Sequence, residues 1–342
     1  MDDSVVINIF NEGCDLGNAA QYHKSIACFR ACIRMRPEWG SAHVLLAEAL
    51  LKTGNLEEGF AEYEWRLPTL HPYCEKFDVK NRWNGDSLQG KTILVYSEQG
   101  IGDAIFVSRW FPFLKNMGAK IILYCPDWVA PLMRHFDVDH VLNMSEPVNS
   151  YDCHCASFSL PHLLKEYQPQ SSLDLPIQKD KSDKLRVGLV WAGSNQSGRD
   201  PIRSIPLRHF ACLKEVDGIE LYNLQTNERP DLAAEGLDMI DWSNVQSMED
   251  YAFSIGKLDL LISCETAAMV VAGTMGVPCW ALTPWNYDWR VSIDGTTSVW
   301  YNSVTMFRNF DCWDEVLQRV KLSLEEENAK KRSVANFRTE NR

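Results

Sequence analysis

Between residues 91 and 311 the chain alternates short apolar runs with amphipathic stretches, and this texture limits its fold more than any other feature. Residues 91–96, 120–124, 139–142 and 151–156 read as strands. Residues 103–117, bent at Pro112, and 128–135 read as helices between them. A polar stretch comes next at 173–184, with Pro176 and a charge run from Lys179 to Lys184 that reads as a linker. The pattern then restarts. Residues 185–191, 220–225, 258–263 and 277–282 read as strands, and 248–255 and 267–275 as helices. Residues 312–332 form a long amphipathic helix carrying Val316, Leu317, Val320 and Leu324 on one side. Strand and helix in turn predict parallel sheets covered on both faces. The expectation is two similar α/β halves, 91–178 and 185–311, that bind a ligand between their strand ends.

Each half opens on a strand that runs into a small-residue turn. In the first, the turn is Gly100-Ile101-Gly102-Asp103. Glycines let backbone approach a ligand with no Cβ between them, and the next helix offers unpaired N–H groups to an anion. Asp103 is the awkward member, because a carboxylate competes with a phosphate for those donors; it either caps the helix or does chemistry. In the second half the turn is Trp191-Ala192-Gly193-Ser194, with Arg199, Asp200, Arg203 and Ser204 in the loop after it. Arg199 and Arg203 could neutralise a pyrophosphate or form ordinary surface ion pairs. Gln225, ending a strand at the same edge, could read a base or ribose or simply be exposed. Ser263-Cys264-Glu265-Thr266-Ala267 is a second strand-to-helix junction. There the Thr266 hydroxyl and the amides of Thr266, Ala267 and Ala268 could bond a diphosphate, or Glu265 or Thr266 could just cap the helix. Trp285, Asp288 and Trp289 lie in an aromatic loop that stacks on a sugar or base, or else closes the base of the domain.

Ahead of this body, residues 5–66 repeat themselves at a shift of 34. Ala47 falls on Gly13, Leu50 on Leu16, Gly54 on Ala20, Gly59 on Ser25, Ala61 on Ala27 and Tyr63 on Phe29. Small residues recur where helices approach closely, and aromatics recur where they fill the groove. Pro37 ends the first unit. Period and pattern resemble the tetratricopeptide repeat, a helix–turn–helix unit. Such units bury little alone, so residues 1–66 should pack on the rest of the chain, on another protein or on a second copy. Residues 67–90, with Pro68, Pro72 and Trp83-Asn84-Gly85, read as a linker with hydrophobic anchors.

Charge and cysteine usage narrow the function. The 342-residue chain carries a net charge of −12, which disfavours a nucleic-acid partner. Lys330, Lys331, Arg332, Arg338 and Arg342 gather at the end, 333–342 reading as a solvated polar tail. No apolar run reaches the roughly 18–20 residues that span a bilayer, and the acidic start is not a secretory signal. Eleven scattered cysteines suit a reducing, cytoplasmic setting. Cys153-His154-Cys155 and Cys28-x-x-x-Cys32 read as buried thiols rather than metal ligands, and Asp137-Val138-Asp139 has no supporting pattern as a metal diacid.

Taken in order, Gly100-Ile101-Gly102-Asp103, Trp191 to Ser194, Arg203-Ser204, Leu224-Gln225, Glu265-Thr266-Ala267 and Trp285 to Trp289 resemble bacterial tetratricopeptide-repeat proteins. The C-terminal part of those proteins resembles the ADP-heptose:lipopolysaccharide heptosyltransferase family. The resemblance implies helical repeats and then twin Rossmann-like domains of GT-B type. It further implies a metal-independent, inverting transfer from a nucleotide-diphosphate sugar to a glycan, lipid or protein hydroxyl, with no cofactor. Asp103 maps to the family's general base and Arg203 to the residue that stabilises the departing diphosphate. Glu265-Thr266-Ala267 maps to its phosphate loop, with Gly100, Gly102, Trp191, Gly193, Ser194, Gln225 and Asp288 as further nucleotide-sugar contacts. Two positions depart from the pattern: the family's Asp is Glu265 here, and its common His is Val270. The alternative is a GT-B body of weak or absent turnover that serves as an interaction scaffold.

Overall fold

The computed structural model of the chain describes residues 3–69, 77, 79–195, 198–227, 237–291 and 296–340. Pro72 of the expected linker and Arg342 of the expected tail lie outside them. The chain divides into two compact units, Met1–Ser171 with Asp288–Asp294, and Ser172–Tyr287 with Gly295–Arg342.

The first unit begins with four helices, α1 (Asp3–Asn18), α2 (Tyr22–Met35), α3 (Gly40–Lys52) and α4 (Leu56–Tyr63), each packed on the next. The repeated small residues sit at these contacts. A Cβ on Gly13 would meet the Phe29 ring at 2.8 Å, and one on Gly59 would meet Leu51 Cδ2 at 2.8 Å. Ser25 Oγ donates to the Gly13 carbonyl at 2.8 Å. Phe29, Leu46 and Leu50 fill the space the close approach creates.

Next come β1 (Thr92–Tyr96), α5 (Ile101–Phe106), α6 (Phe111–Asn116), β2 (Lys120–Cys125), α7 (Ala130–Met133), β3 (His140–Asn143), β4 (Cys153–Ala156) and α8 (Leu160–Leu164). The strands form a parallel sheet in the order β3-β2-β1-β4. Central β1 is buried from Ile93 to Tyr96 because both faces are covered. The helix expected at 103–117 is divided: α5 ends at Phe106, a 3-10 turn spans Val107–Trp110, and α6 starts afresh. Pro112 stands in the first turn of α6, where its missing N–H has no intrahelical partner to lose, so it opens a helix rather than bending one.

The stretch after α4 is anchored in this unit. Leu67 and Phe77 share a core with Leu94, Tyr96, Ile122 and Tyr124. Arg66, 3% exposed, and Glu98, 1% exposed, form a two-pronged ion pair with Nε–Oε2 at 2.8 Å and Nη2–Oε1 at 2.6 Å. The helical block is thereby pinned to the end of β1. Cys155 is buried on β4, and burial pushes its thiol well up. His154 instead lies among Phe77, Tyr96 and Tyr151. Lys115 Nζ pairs with Asp139 at 2.8 Å, which gives that acid a structural partner.

The second unit carries β5 (Leu185–Val190), α9 (Asp200–Arg203), β6 (Ile219–Asn223), β7 (Ile240–Asp241), α10 (Met248–Gly256), β8 (Leu260–Cys264), α11 (Ala267–Thr274), β9 (Cys279–Pro284), β10 (Val304–Asn309) and α12 (Trp313–Glu340). Its parallel sheet has the order β10-β9-β8-β5-β6-β7. The expected linker at 173–184 is partly core here. Leu173 and Leu175 are buried, and Ile177 packs so closely on Gly256 that a Cβ there would lie 2.0 Å from its Cδ1. α12 buries Val316, Leu317, Val320 and Leu324 and continues past the expected end at Arg332 to Glu340. The basic residues near its end are engaged, not solvated alone: Lys331 Nζ holds Asp259 and the Lys184 carbonyl, each at 2.8 Å, and Lys330 pairs with Glu327 at 2.6 Å. No helix among the described residues is long and apolar enough to cross a membrane.

Candidate functional site

Two clusters of side chains stand at the strand ends picked out in the sequence, one in each unit. In the first, Asp103 lies in the opening turn of α5. Its Oδ2 accepts the Gly100 N–H at 2.8 Å, which satisfies the amide at the N-cap position. A Cβ on Gly100 would sit 3.1 Å from that oxygen, so the glycine makes room for the carboxylate. Gly102, one residue before Asp103, is half-buried. The other Asp103 oxygen, Oδ1, is 2.7 Å from Arg290 Nε. Asp103 therefore caps the helix and faces a cation at once. Burial pushes its carboxyl above the usual carboxylate range; Arg290 and the Gly100 N–H pull it down, while Asp288 and Glu98 push with burial.

Arg290 was not marked in the sequence, yet it organises this cluster. Its Nη1 donates to both Asp288 oxygens, at 2.9 and 3.2 Å, and its Nη2 to Tyr63 Oη at 3.4 Å and to Gln99 Oε1. Its guanidinium lies over Trp289 at 4.5 Å and Phe158 at 4.9 Å. Burial disfavours its charge, but Asp103 and Asp288 more than offset this and keep it cationic. The sequence signal for Arg290 was an arginine directly after an aromatic run, which composition alone does not separate from an exposed loop cation. Asp288 was expected with the second half; it belongs to the first unit because its chain segment is drawn there by Trp289. That indole, 2% exposed, packs edge-on against Phe60, Tyr63, Phe106 and Phe158. Trp289 thus fills the first unit's aromatic core.

In the second unit, Gly193 and Arg203 are in contact. A Cβ on Gly193 would fall 2.4 Å from Arg203 Nη2 and 2.5 Å from Cζ, so only glycine lets the guanidinium lie there. Arg203 Nη1 donates to the Glu265 carbonyl at 3.1 Å, just ahead of α11, while its buried Nε has no hydrogen-bond acceptor among the described residues. Glu265, 5% exposed, gives its carboxylate to Arg199 Nη2 at 2.9 Å, and that nitrogen also donates to the Asn286 carbonyl at 2.8 Å. Thr266 occupies the N-cap position without capping, its hydroxyl lying 3.0 Å from Ser263 Oγ, and Ala267 opens the helix. Burial pushes the neighbouring Cys264 thiol up to about 12, so it stays protonated at neutral pH.

Gln225 differs from its expected role. It is buried, and its side chain is spent within the protein: Oε1 accepts from Trp191 N at 3.1 Å and Ala192 N at 2.9 Å, and Nε2 donates to the Ala192 carbonyl at 2.9 Å and to Asn227 Oδ1. It braces the 191–193 turn rather than reaching for a base, because a buried turn must satisfy its amides. Trp191 is likewise in the core, whereas Ser194 and Trp285 are exposed. Among the described residues no group of three or more His, Cys, Asp or Glu side chains is placed to hold a metal ion.

Each unit carries a parallel sheet with a Gly turn after its first strand, and the fold is similar to that of solved glycosyltransferases. A glycosyl transferase family 9 protein from Veillonella parvula matches 73% of this chain over 98% of its own, with TM-score 0.50 and 12% identity. The heptosyltransferase TibC, described as dodecameric and iron-containing and in complex with ADP-D-β-D-heptose, matches 73% of this chain over 78% of its own. Its TM-score is 0.50 and its identity 10%. Among curated proteins the chain is similar to protein FlbA of Caulobacter vibrioides, with 22% identity over 322 residues, covering 81% of this chain and 54% of that protein. The chain thus spans about half the length of that relative. No family profile matches the chain.

Proposed function

We propose that the protein is a glycosyltransferase that takes a sugar from a nucleotide-diphosphate donor to a hydroxyl of a glycan, lipid or protein. The observation that carries this reading is the Arg203 guanidinium, laid on Gly193 beside the start of α11 with its buried Nε unpaired. A buried cationic donor without an acceptor is costly unless an anion completes it, and a helix N-terminus adds partial positive charge at the same place. A diphosphate has the charge and the oxygens to fill both. In the transfer the acceptor oxygen bonds to the anomeric carbon, the bond from that carbon to the diphosphate oxygen breaks, and the nucleoside diphosphate leaves with the electron pair. Asp103 takes the acceptor's proton. Its raised pKa makes it a stronger base than a solvent carboxylate.

A thermal-shift panel of UDP, GDP, ADP, CMP and dTDP sugars tests the donor. One class should raise Tm by mass action, and Arg203→Ala should abolish that rise. No shift with any donor would defeat the reading. Asp103→Asn should keep the shift and lose most turnover. A second reading, a body without turnover that serves as a scaffold, draws on one observation: both Asp103 oxygens are already engaged, by Gly100 and Arg290. Donor binding with equal, negligible turnover in wild type and Asp103→Asn would select it.

A further inference from the structure

Gln99 holds a left-handed backbone, φ 67°, although it carries a side chain. Such a conformation is disfavoured for a residue with a Cβ and persists only where the surroundings enforce it. Here they do so through the side chain. Gln99 Nε2 donates to Tyr63 Oη at 2.7 Å, and its Oε1 accepts from Arg290 Nη2. Tyr63 ends α4, the last helix of the repeat block, and is 4% exposed. Its hydroxyl is thus a shared acceptor for the strained turn and for the arginine that faces Asp103.

We infer that Tyr63 and Arg290 are positioning residues for Asp103, so that the helical repeats are a working part of this cluster rather than a separate docking module. The geometry is a relay: Tyr63 Oη fixes Gln99 and the outer nitrogen of Arg290, and Arg290 Nε then stands at Asp103 Oδ1. The neighbouring acids have cations of their own or share this one. Asp288 pairs with Arg290 itself, and Glu98 is neutralised by Arg66. The Gly100 N–H completes the surroundings of the carboxylate. Loosening Tyr63 should therefore reach Asp103 through the position of one cation, with little change in net charge. The inference extends the proposed role of Asp103 as base, but its test does not require turnover.

The test is a titration of the full chain labelled with 13C at aspartate carboxyls, the Asp103 signal being assigned by its loss in Asp103→Asn. Arg290→Gln should raise the Asp103 midpoint above wild type, because the attracting cation is gone. Tyr63→Phe, which keeps the ring in its aromatic packing, should raise it by a smaller amount, and Arg290→Lys should restore most of the wild-type value. A Tyr63→Phe midpoint equal to wild type would overturn the inference for the repeats, and an Arg290→Gln midpoint equal to wild type would overturn it altogether. A shifted midpoint without donor binding in the sugar panel would uphold the relay and defeat the glycosyltransferase reading, so the two failures are distinguishable.

Discussion

Breaking the Arg66–Glu98 pair should cost the protein far more than an ordinary salt bridge. The Glu98 side chain is 0% exposed and that of Arg66 4%, so neither can turn to water when its partner is lost. Burial alone favours a neutral Arg66, and Glu98 more than offsets it and holds the guanidinium charged. Arg66→Met keeps the stem's volume and removes the charge. It leaves the Glu98 carboxylate with the Phe158 N–H, 2.8 Å away, as its remaining hydrogen-bond partner among the described residues. Removing one partner of a buried pair costs about 3–5 kcal/mol, a large share of the roughly 5–15 kcal/mol of a native domain. Glu98→Gln should cost less than Arg66→Met, because Arg66 keeps Glu64 Oε1 at 3.0 Å, the Tyr63 carbonyl at 2.9 Å and Ser159 Oγ at 3.2 Å. The double variant removes both charges, keeps an acceptor for Phe158, and leaves one buried amide group underused, for a loss of about 1–3 kcal/mol. The singles would then sum to far more than the double. Urea unfolding of the full chain, tracked by near-ultraviolet circular dichroism of the aromatic cluster, reads this directly. The singles should lower the midpoint by about 1 M or more. A double variant equal to the sum of the singles within about 0.5 kcal/mol would show that the residues do not act as a pair and refute the argument.

Gly193→Ala should push aside the Arg203 guanidinium, the mobile end of a side chain, and so weaken nucleoside-diphosphate binding about tenfold or more while costing less than about 1 kcal/mol of stability; unchanged affinity by calorimetry would sink it. Gly273→Ala in α11 should lower Tm, because its Cβ would meet the buried Tyr301 ring at 2.5 Å, and overpacking of about 1–3 kcal/mol outweighs the roughly 1 kcal/mol gain in helix propensity. A raised Tm would contradict the packing. Asp259 is desolvated, yet the Arg186 N–H and Lys331 more than compensate and lower its pKa on folding. Its contribution is therefore present above the unfolded value of about 3.9 and is lost as pH falls through the lower folded value. Asp259→Asn should be less stable than wild type at pH 7, with the gap closing below about pH 4; a gap that persists in acid would point to packing.

The strands were legible where burial on both faces left unbroken apolar runs, as in Ile93 to Tyr96 and Leu260 to Ile262. β10 was not, since Val304 to Asn309 mixes buried and exposed residues at a sheet edge, and two-residue β7 is too short to carry a pattern. Periodicity marked 103–117 as helical but could not show that Pro112 starts a new helix. At the candidate sites the sequence marked the turns and missed the pairings. Gly193 and Arg203 were both singled out, whereas their contact depends on the fold of the loop between them. Arg290 and Tyr63, 227 residues apart, meet only because Trp289 is drawn into the first unit's core. Charge separated in sequence by that distance leaves no local trace.

That return of the chain has a consequence for how the first unit is made. Its sheet and helices are all synthesised by Ser171, but the indole that completes its aromatic core arrives only with Trp289. During vectorial synthesis the unit must wait on the order of ten seconds for that residue at usual elongation rates of about 5–20 residues per second. In that interval Phe60, Tyr63, Phe106 and Phe158 lack the ring that fills the space between them, and the carboxylate of Asp103 lacks its cation. Nascent chains arrested before and after residue 290 has cleared the ribosome should differ sharply in protease resistance of the helical block.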